Sequence, residues 1–132
     1  MVKGFALMDR GIKLLVVGSY SNHNNYQKSV LKYANDKIIF TGSIYDKKYL
    51  SALRSNALFY LHGHTVGGNN PTLVEALGCS LPIVSHDNKY NRYVAKNAAI
   101  YFKNEDTLDL CIEKIINDRF LVSRLRTNAK KI

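Results

Sequence analysis

Short apolar runs alternate along the chain with longer stretches in which apolar residues recur at helical spacing. Residues 13–19, Lys-Leu-Leu-Val-Val-Gly-Ser, form a continuous apolar run closed by glycine, the pattern of a strand buried on both faces of a parallel sheet. Residues 26–35 then suit a helix with Val30, Leu31 and Ala34 on one side, and Ile38-Ile39-Phe40-Thr41 before Gly42 predicts a second strand. Residues 46–55 read as a helix, with Tyr49, Leu50 and Leu53 on one face and Asp46 as its N-cap. Ala57-Leu58-Phe59-Tyr60-Leu61 is a third strand, followed by a polar, glycine-rich loop. Pro71 opens a helix that runs through Gly78, because proline in a first helical turn gives up no hydrogen bond. Pro82-Ile83-Val84-Ser85 and Ala99-Ile100-Tyr101-Phe102 predict two more short strands. Residues 106–117 and 119–131 predict two closing helices, with Leu108, Cys111, Ile112, Ile115 and Ile116 on one face of the first.

Strands alternating with helices place the chain in the α/β class, as a Rossmann-like, doubly wound parallel sheet. In such folds ligands sit beyond the carboxyl ends of the strands, which selects Gly18-Ser19-Tyr20, Gly42-Ser43-Ile44 and the loop from His62 to Asn70. A length of 132 residues fits one domain, and 46% apolar with 22% charged residues excludes a disordered tail. No internal repeat or linker interrupts the pattern, and no apolar stretch reaches the roughly 20 residues that span a bilayer. The start carries too short an apolar run for a secretory signal, so a cytoplasmic location is expected. Cys79 and Cys111 lie in apolar stretches without metal-ligand spacing and read as buried free thiols, and His62 and His64 have no further ligands spaced to close a metal site. The net charge of +9 favours an anionic partner, yet the basic residues are dispersed, with no run longer than Lys130-Lys131. No nucleic-acid-binding pattern is visible, and Tyr60 and Tyr101 fall within apolar strands, so nucleic acid is not an expected partner.

The most informative stretch runs from Tyr60 to Gly78. A strand enters, Gly67 and Gly68 let the backbone approach something closely, and a helix begins at Pro71. The unpaired N–H groups and partial positive charge of a helix start favour an anion such as a diphosphate; a tight strand-to-helix turn without a ligand is the plainer alternative. Glu75 lies one turn into that helix among Leu73, Val74, Ala76 and Leu77. Its carboxylate must either face solvent or accept hydrogen bonds from a ligand, for which ribose hydroxyls are suitable donors.

The series His62-Gly63-His64-x-Val66-Gly67-Gly68-x-Asn70-Pro71-x-Leu73-x-Glu75-Ala76-Leu77, then Pro82-Ile83, Asn91-Arg92 and Ala99-x-Tyr101-Phe102, resembles the carboxyl-terminal, donor-binding domain of GT-B glycosyltransferases of group 1. More narrowly it resembles bacterial transferases that add rhamnose or related sugars during surface polysaccharide assembly. The likeness runs from about Leu14 to Phe102. It implies retaining transfer of a hexose-type sugar from a nucleotide diphosphate sugar to a glycan or lipid-linked acceptor, with neither metal nor cofactor. Carried over by position, Glu75 would hold the donor ribose; Gly67, Gly68, Asn69, Asn70, Pro71 and Thr72 would line the sugar and diphosphate; and Ile44 would sit by the base. His64 would lie near the transferred sugar as the candidate catalytic residue, while His62 is either a site residue or a packed loop histidine. For Arg92 two roles stay open, neutralising phosphate or bracing the loop.

The chain departs from the family in two places. Gly67 stands where most members carry a second glutamate, and the narrower subgroup also has glycine there. The family's first strand and loop, which supply an arginine or lysine to the phosphates, have no counterpart before Lys13; residues 2–8 read as the tail of the helix that follows that strand. The sheet is therefore expected to be truncated at its amino-terminal strand, with residues 14–18 and 57–61 closing up directly or another chain filling the gap. Residues 1–132 then form a partial nucleotide-sugar-binding domain that lacks the acceptor-binding domain, binds nucleotide weakly and transfers no sugar alone. A non-catalytic Rossmann-like nucleotide-binding module is the alternative. Contact of the basic surface with the inner face of a membrane is a further expectation.

Overall fold

The computed structural model describes residues 1–19, 24–66 and 70–132. The chain divides into two compact units, Met1–Leu50 and Ser51–Ile132. The first holds α1 (Val2–Ala6), β1 (Leu14–Val17), α2 (Asn25–Leu31) and β2 (Ile38–Gly42), and α3 (Lys47–Asn56) begins in it. β1 and β2 are parallel, with Leu14 opposite Ile38 and Val16 opposite Phe40. The side chain of Asn24 caps α2 by accepting from the Tyr26 amide at 2.8 Å, and Asp46, as expected, caps α3 through the Lys48 amide at 2.8 Å. Asn35 accepts from the amides of Lys37 and Ile38, a local turn that feeds the chain into β2. Gly42 ends that strand at φ +76°, a left-handed conformation that a side chain would strain. The expectation of a strand buried on both faces fails at β1: Leu15 and Val17 alternate with better-covered neighbours and are 48% and 40% exposed.

The second unit is built on β3 (Tyr60–His62), β4 (Ile83–His86) and β5 (Ala99–Phe102), parallel and in that order. The strand begins later than the apolar run predicts, at Tyr60 rather than Ala57. α4 (Pro71–Gly78) connects β3 to β4; α5 (Lys89–Ala95) and one turn of 3-10 helix (Lys96–Ala98) connect β4 to β5; α6 (Glu105–Asn117) and α7 (Arg119–Ala129) follow. α5 was not anticipated from the sequence. β1 is hydrogen-bonded to β2 and β3 to β4, in separate ladders.

Helix order in this unit follows from its caps. Asn104 and Thr107 form a reciprocal capping box at α6, and Asp118 accepts from the Leu121 amide at 2.9 Å to start α7. α6 buries Leu108, Cys111, Ile112 and Ile115, whereas Ile116, expected on the same face, is 37% exposed. Leu73, Ala76, Leu77, Leu81, Ile83, Ala95, Ala98, Ala99 and Ala129 form one core cluster. Each of its larger aliphatic side chains contributes about 1.5–3 kcal/mol relative to exposure, so α4 is fixed by its apolar face before any ligand is considered. Cys79 and Cys111 are free thiols, half-buried and buried, and burial raises the Cys111 thiol pKa.

α4 ends through Ser80, which takes a left-handed φ of +56° so that its amide reaches the Leu77 carbonyl and the Leu81 amide reaches that of Ala76. A side chain in this conformation is strained, and glycine relieves it at some cost in chain entropy. Ser80→Gly is therefore expected to raise stability by ~0.5–1 kcal/mol in urea unfolding, and a loss of stability would contradict this account.

Candidate functional site

His62 is the last residue of β3, opposite Ser85 in the ladder. Its side chain is 1% exposed, and neither ring nitrogen has a hydrogen-bond partner among the described residues. The ring stacks on that of His64, with centroids 4.8 Å apart and planes at 23°, and the tilted Tyr60 ring has its centroid 5.8 Å away. Burial first, and then the neighbouring His64, lower the His62 pKa to about 4, with the Asn91 side chain opposing them. His62 is therefore a neutral, packed residue at the floor of the loop, one of the two readings left open by the sequence.

His64 lies beyond it and is exposed. Its position is set through its main chain. The His64 carbonyl accepts from the side-chain amides of Asn88 and Asn91, each at 3.0 Å, and Asn91 also donates to the His86 carbonyl at 2.9 Å. Asn88 itself caps α5, accepting from the amides of Tyr90 and Asn91 at 3.0 and 2.9 Å. The loops at the carboxyl ends of β3 and β4 are thus tied together by the first turn of α5, with Asn91 6% exposed at the knot.

The start of α4 corrects one premise of the sequence reading. Pro71 has no N–H; the Thr72 amide donates to Asn70 Oδ1 at 3.1 Å; and the Leu73 and Val74 amides both donate to the Asn70 carbonyl. The helix therefore offers a dipole, while its own first-turn donors are already engaged. The Thr72 hydroxyl is engaged as well, donating to Asn70 Oδ1 at 2.6 Å and accepting from the Tyr60 hydroxyl at 2.8 Å. Burial raises the Tyr60 pKa, so the phenol acts as a fixed donor. Gly67, Gly68 and Asn69, expected to line the sugar and diphosphate, lie outside the described residues.

One turn along α4, the Glu75 side chain is 54% exposed and its Oε2 accepts from Arg54 Nη2 at 2.7 Å. Arg92, on α5, forms a two-pronged ion pair with Asp87, and its guanidinium lies 4.3 Å above the Tyr101 ring. The pairing holds the Asp87 carboxyl below its ordinary range and raises Arg92; burial pushes the Tyr101 phenol up to about 12. Of the two roles left open for Arg92, bracing is realised in this geometry, and a phosphate would compete with Asp87 for the guanidinium. Ile44 is half-buried after β2 in the first unit. A groove of about 430 Å³ lies elsewhere, against the second half of α4, lined by Val74, Leu77, Gly78, Val94, Ala129 and Ile132 among others.

Arg54 and Asn88 were not anticipated. Arg54 follows Leu50 by one helical turn and so sits beside the apolar face of α3, a place where a charge needs a partner. Asn88 had the visible signal of a capping residue ahead of a short helix, but the polar run Asp87 to Arg92 hid that helix.

The parallel ladders and their connecting helices define a Rossmann-like α/β fold. The sequence model for glycosyl transferases group 1 matches residues 1–132, and the chain belongs to that family. Sucrose-phosphate synthase from Thermosynechococcus elongatus shares the fold with a TM-score of 0.78 at 19% identity, over 98% of this chain and 35% of that one. Anabaena HepE, solved in complex with UDP, shares it with a TM-score of 0.72 at 16% identity, over 98% of this chain and 38% of that one. The chain thus spans little more than a third of the length of either. No curated protein sequence matches it. The resemblance to GT-B glycosyltransferases read from the sequence is borne out at the level of family and fold; the narrower likeness to rhamnosyltransferases is not.

Proposed function

We propose that the chain is the donor-binding part of a retaining glycosyltransferase that moves a sugar, rhamnose or a related hexose, from a nucleotide diphosphate sugar to a glycan or lipid-linked acceptor in surface polysaccharide synthesis. The observation that carries this reading is the Glu75 carboxylate, half-exposed one turn into a helix that is locked at its start by Asn70, Thr72 and Tyr60. A carboxylate so placed suits the paired hydroxyls of a ribose, with the diphosphate lying toward residues 67–69 and the positive end of the α4 dipole. HepE, which shares the fold, was solved with UDP, which supports a nucleoside diphosphate as ligand. His64, its ring exposed and its carbonyl tied by Asn88 and Asn91, is the residue proposed to face the transferred sugar. Ile44 is proposed for the base, and Asn70, Pro71 and Thr72 shape the wall beside the diphosphate.

In transfer, the bond from the anomeric carbon to the diphosphate oxygen breaks, the diphosphate leaves, and the acceptor hydroxyl takes the sugar and gives up a proton. Stabilising that leaving group without a metal needs fixed dipoles and cations, and shielding the sugar needs a second domain closed over it. The chain alone is accordingly proposed to bind nucleotide and not to turn over, with the full enzyme working at the cytoplasmic face of a membrane that holds its acceptor. Titration of UDP and a UDP-sugar into the 15N-labelled chain tests the reading. Shifts centred on the His64 loop and the start of α4, with the sugar adding shifts at His64, are expected; a response confined to other surfaces would refute it. The His64→Ala variant should leave UDP affinity nearly unchanged and weaken the UDP-sugar by up to about tenfold, the scale of a lost neutral hydrogen bond. A pure nucleotide module would show no such difference.

A further inference from the structure

Resting on that reading of Glu75, we infer that Arg54 is a positioning residue that sets how strongly the site distinguishes ribose from a sugar without hydroxyls. The side chain of Arg54 is 18% exposed, while that of its partner Glu75 is 54% exposed. The less mobile, more buried group is therefore the cation, which makes it the anchor and the carboxylate the part that is held. A glutamate on an exposed helix face otherwise samples several rotamers, and fixing it before a ligand arrives removes an ordering cost from binding.

The contact is single-pronged. Nη2 of Arg54 meets Oε2 of Glu75 at 2.7 Å, and Oε1 takes no hydrogen bond among the described residues. The pair thus orients the carboxylate and still leaves one of its oxygens for a ligand. Arg54 and Glu75 are also close enough to the Tyr60 phenol to act on it electrostatically, in opposite senses. Tyr60 in turn holds Thr72 and through it Asn70. Two supports therefore converge on α4, one at its first turn and one at the carboxylate, and Arg54 is the only charge in either that comes from α3 among the described residues.

The test compares UDP with 2′,3′-dideoxy-UDP on the 132-residue chain by NMR titration, for the native protein and for Arg54→Ala, Arg54→Lys and Glu75→Gln. The native chain is expected to prefer UDP by about tenfold or more, the scale of hydrogen bonds to a charged group. Arg54→Ala should cut that preference several-fold while leaving dideoxy-UDP affinity unchanged, and Arg54→Lys should restore part of it. Glu75→Gln, which keeps an acceptor for Arg54, should reduce the preference as well. An equal loss for both ligands in Arg54→Ala would mean that Arg54 meets the phosphates, and no loss for either would mean that it has no role; each overturns the inference alone. A native chain without preference, or one that does not bind UDP, overturns the reading of Glu75 and the inference with it. Amide spectra of each variant identify any loss of fold, and a folded Arg54→Lys variant then decides the point.

Discussion

Lowering the pH from 7 to 4 is expected to remove about 2–3 kcal/mol of stability through His62 alone. The unfolded side chain titrates near 6.5 and the folded one at about 4, because burial beside His64 disfavours the imidazolium. Between these values the unfolded state holds a proton that the folded state refuses, so acid favours unfolding. The contribution is complete above 6.5, falls by up to about 1.4 kcal/mol per pH unit, and is gone near 4. Asp9 and Asp87 are held below their ordinary value of 3.8 by Lys37 and Arg92, so what they contribute is lost only at more acid pH, outside this window. Urea unfolding at pH 7, 5.5 and 4.5 reads the slope directly. His62→Leu, which keeps an apolar side chain at the floor of the loop and removes the titrating group, should flatten it; an unchanged slope in that variant would show that the acid sensitivity lies elsewhere.

That His62 is structural was not decidable from its neighbours in the sequence. A histidine at a strand end looks the same whether its ring points into a core or a cleft, and only three-dimensional packing against Tyr60 and His64 decides. Elements whose order is dictated locally were read closely. α4 spans Pro71–Gly78 as expected because Asn70, Pro71 and a periodic apolar face all act within eight residues, and β5 coincides with its apolar run. Failures occurred where a distant residue decides. α5 has too little apolar surface to announce itself, and its importance lies in hydrogen bonds from Asn88 and Asn91 to a loop more than twenty residues earlier. β1 reads as doubly buried because Leu15 and Val17 are apolar, but nothing in their identity says whether a layer covers them. For the site, residue types in a motif named Glu75 and His64; what they could not name was the support, since Arg54 belongs to a different helix.

Asn91 is the residue whose loss should most disturb the tie between the loops after β3 and β4. Its side-chain amide carries two donors, spent on the carbonyls of His64 and His86, and it is almost fully buried. Asn91→Asp changes neither size nor shape, but replaces donors by acceptors facing two carbonyl oxygens. The His64 carbonyl keeps Asn88 and the His86 carbonyl keeps the Ser85 hydroxyl at 3.3 Å, so the penalty comes from a buried carboxylate facing two carbonyl oxygens. Leaving a buried polar group unpaired costs about 1–3 kcal/mol and more when it is charged, so a loss of ~2–4 kcal/mol is expected at neutral pH. The introduced carboxyl is relieved by a proton taken up on itself or on the neighbouring His62, on which the residue-91 side chain acts, and in either case the folded state binds that proton more readily than the native fold does. The deficit relative to the native chain should therefore shrink as the pH falls toward 5, the reverse of the trend that His62 imposes on the native protein. Asn91→Ala, which has no group to protonate, should keep a constant deficit over the same range. If the Asp and Ala variants showed the same pH dependence, the side chain would be acting through packing, and the tie between the two loops would not be what holds the His64 main chain in place.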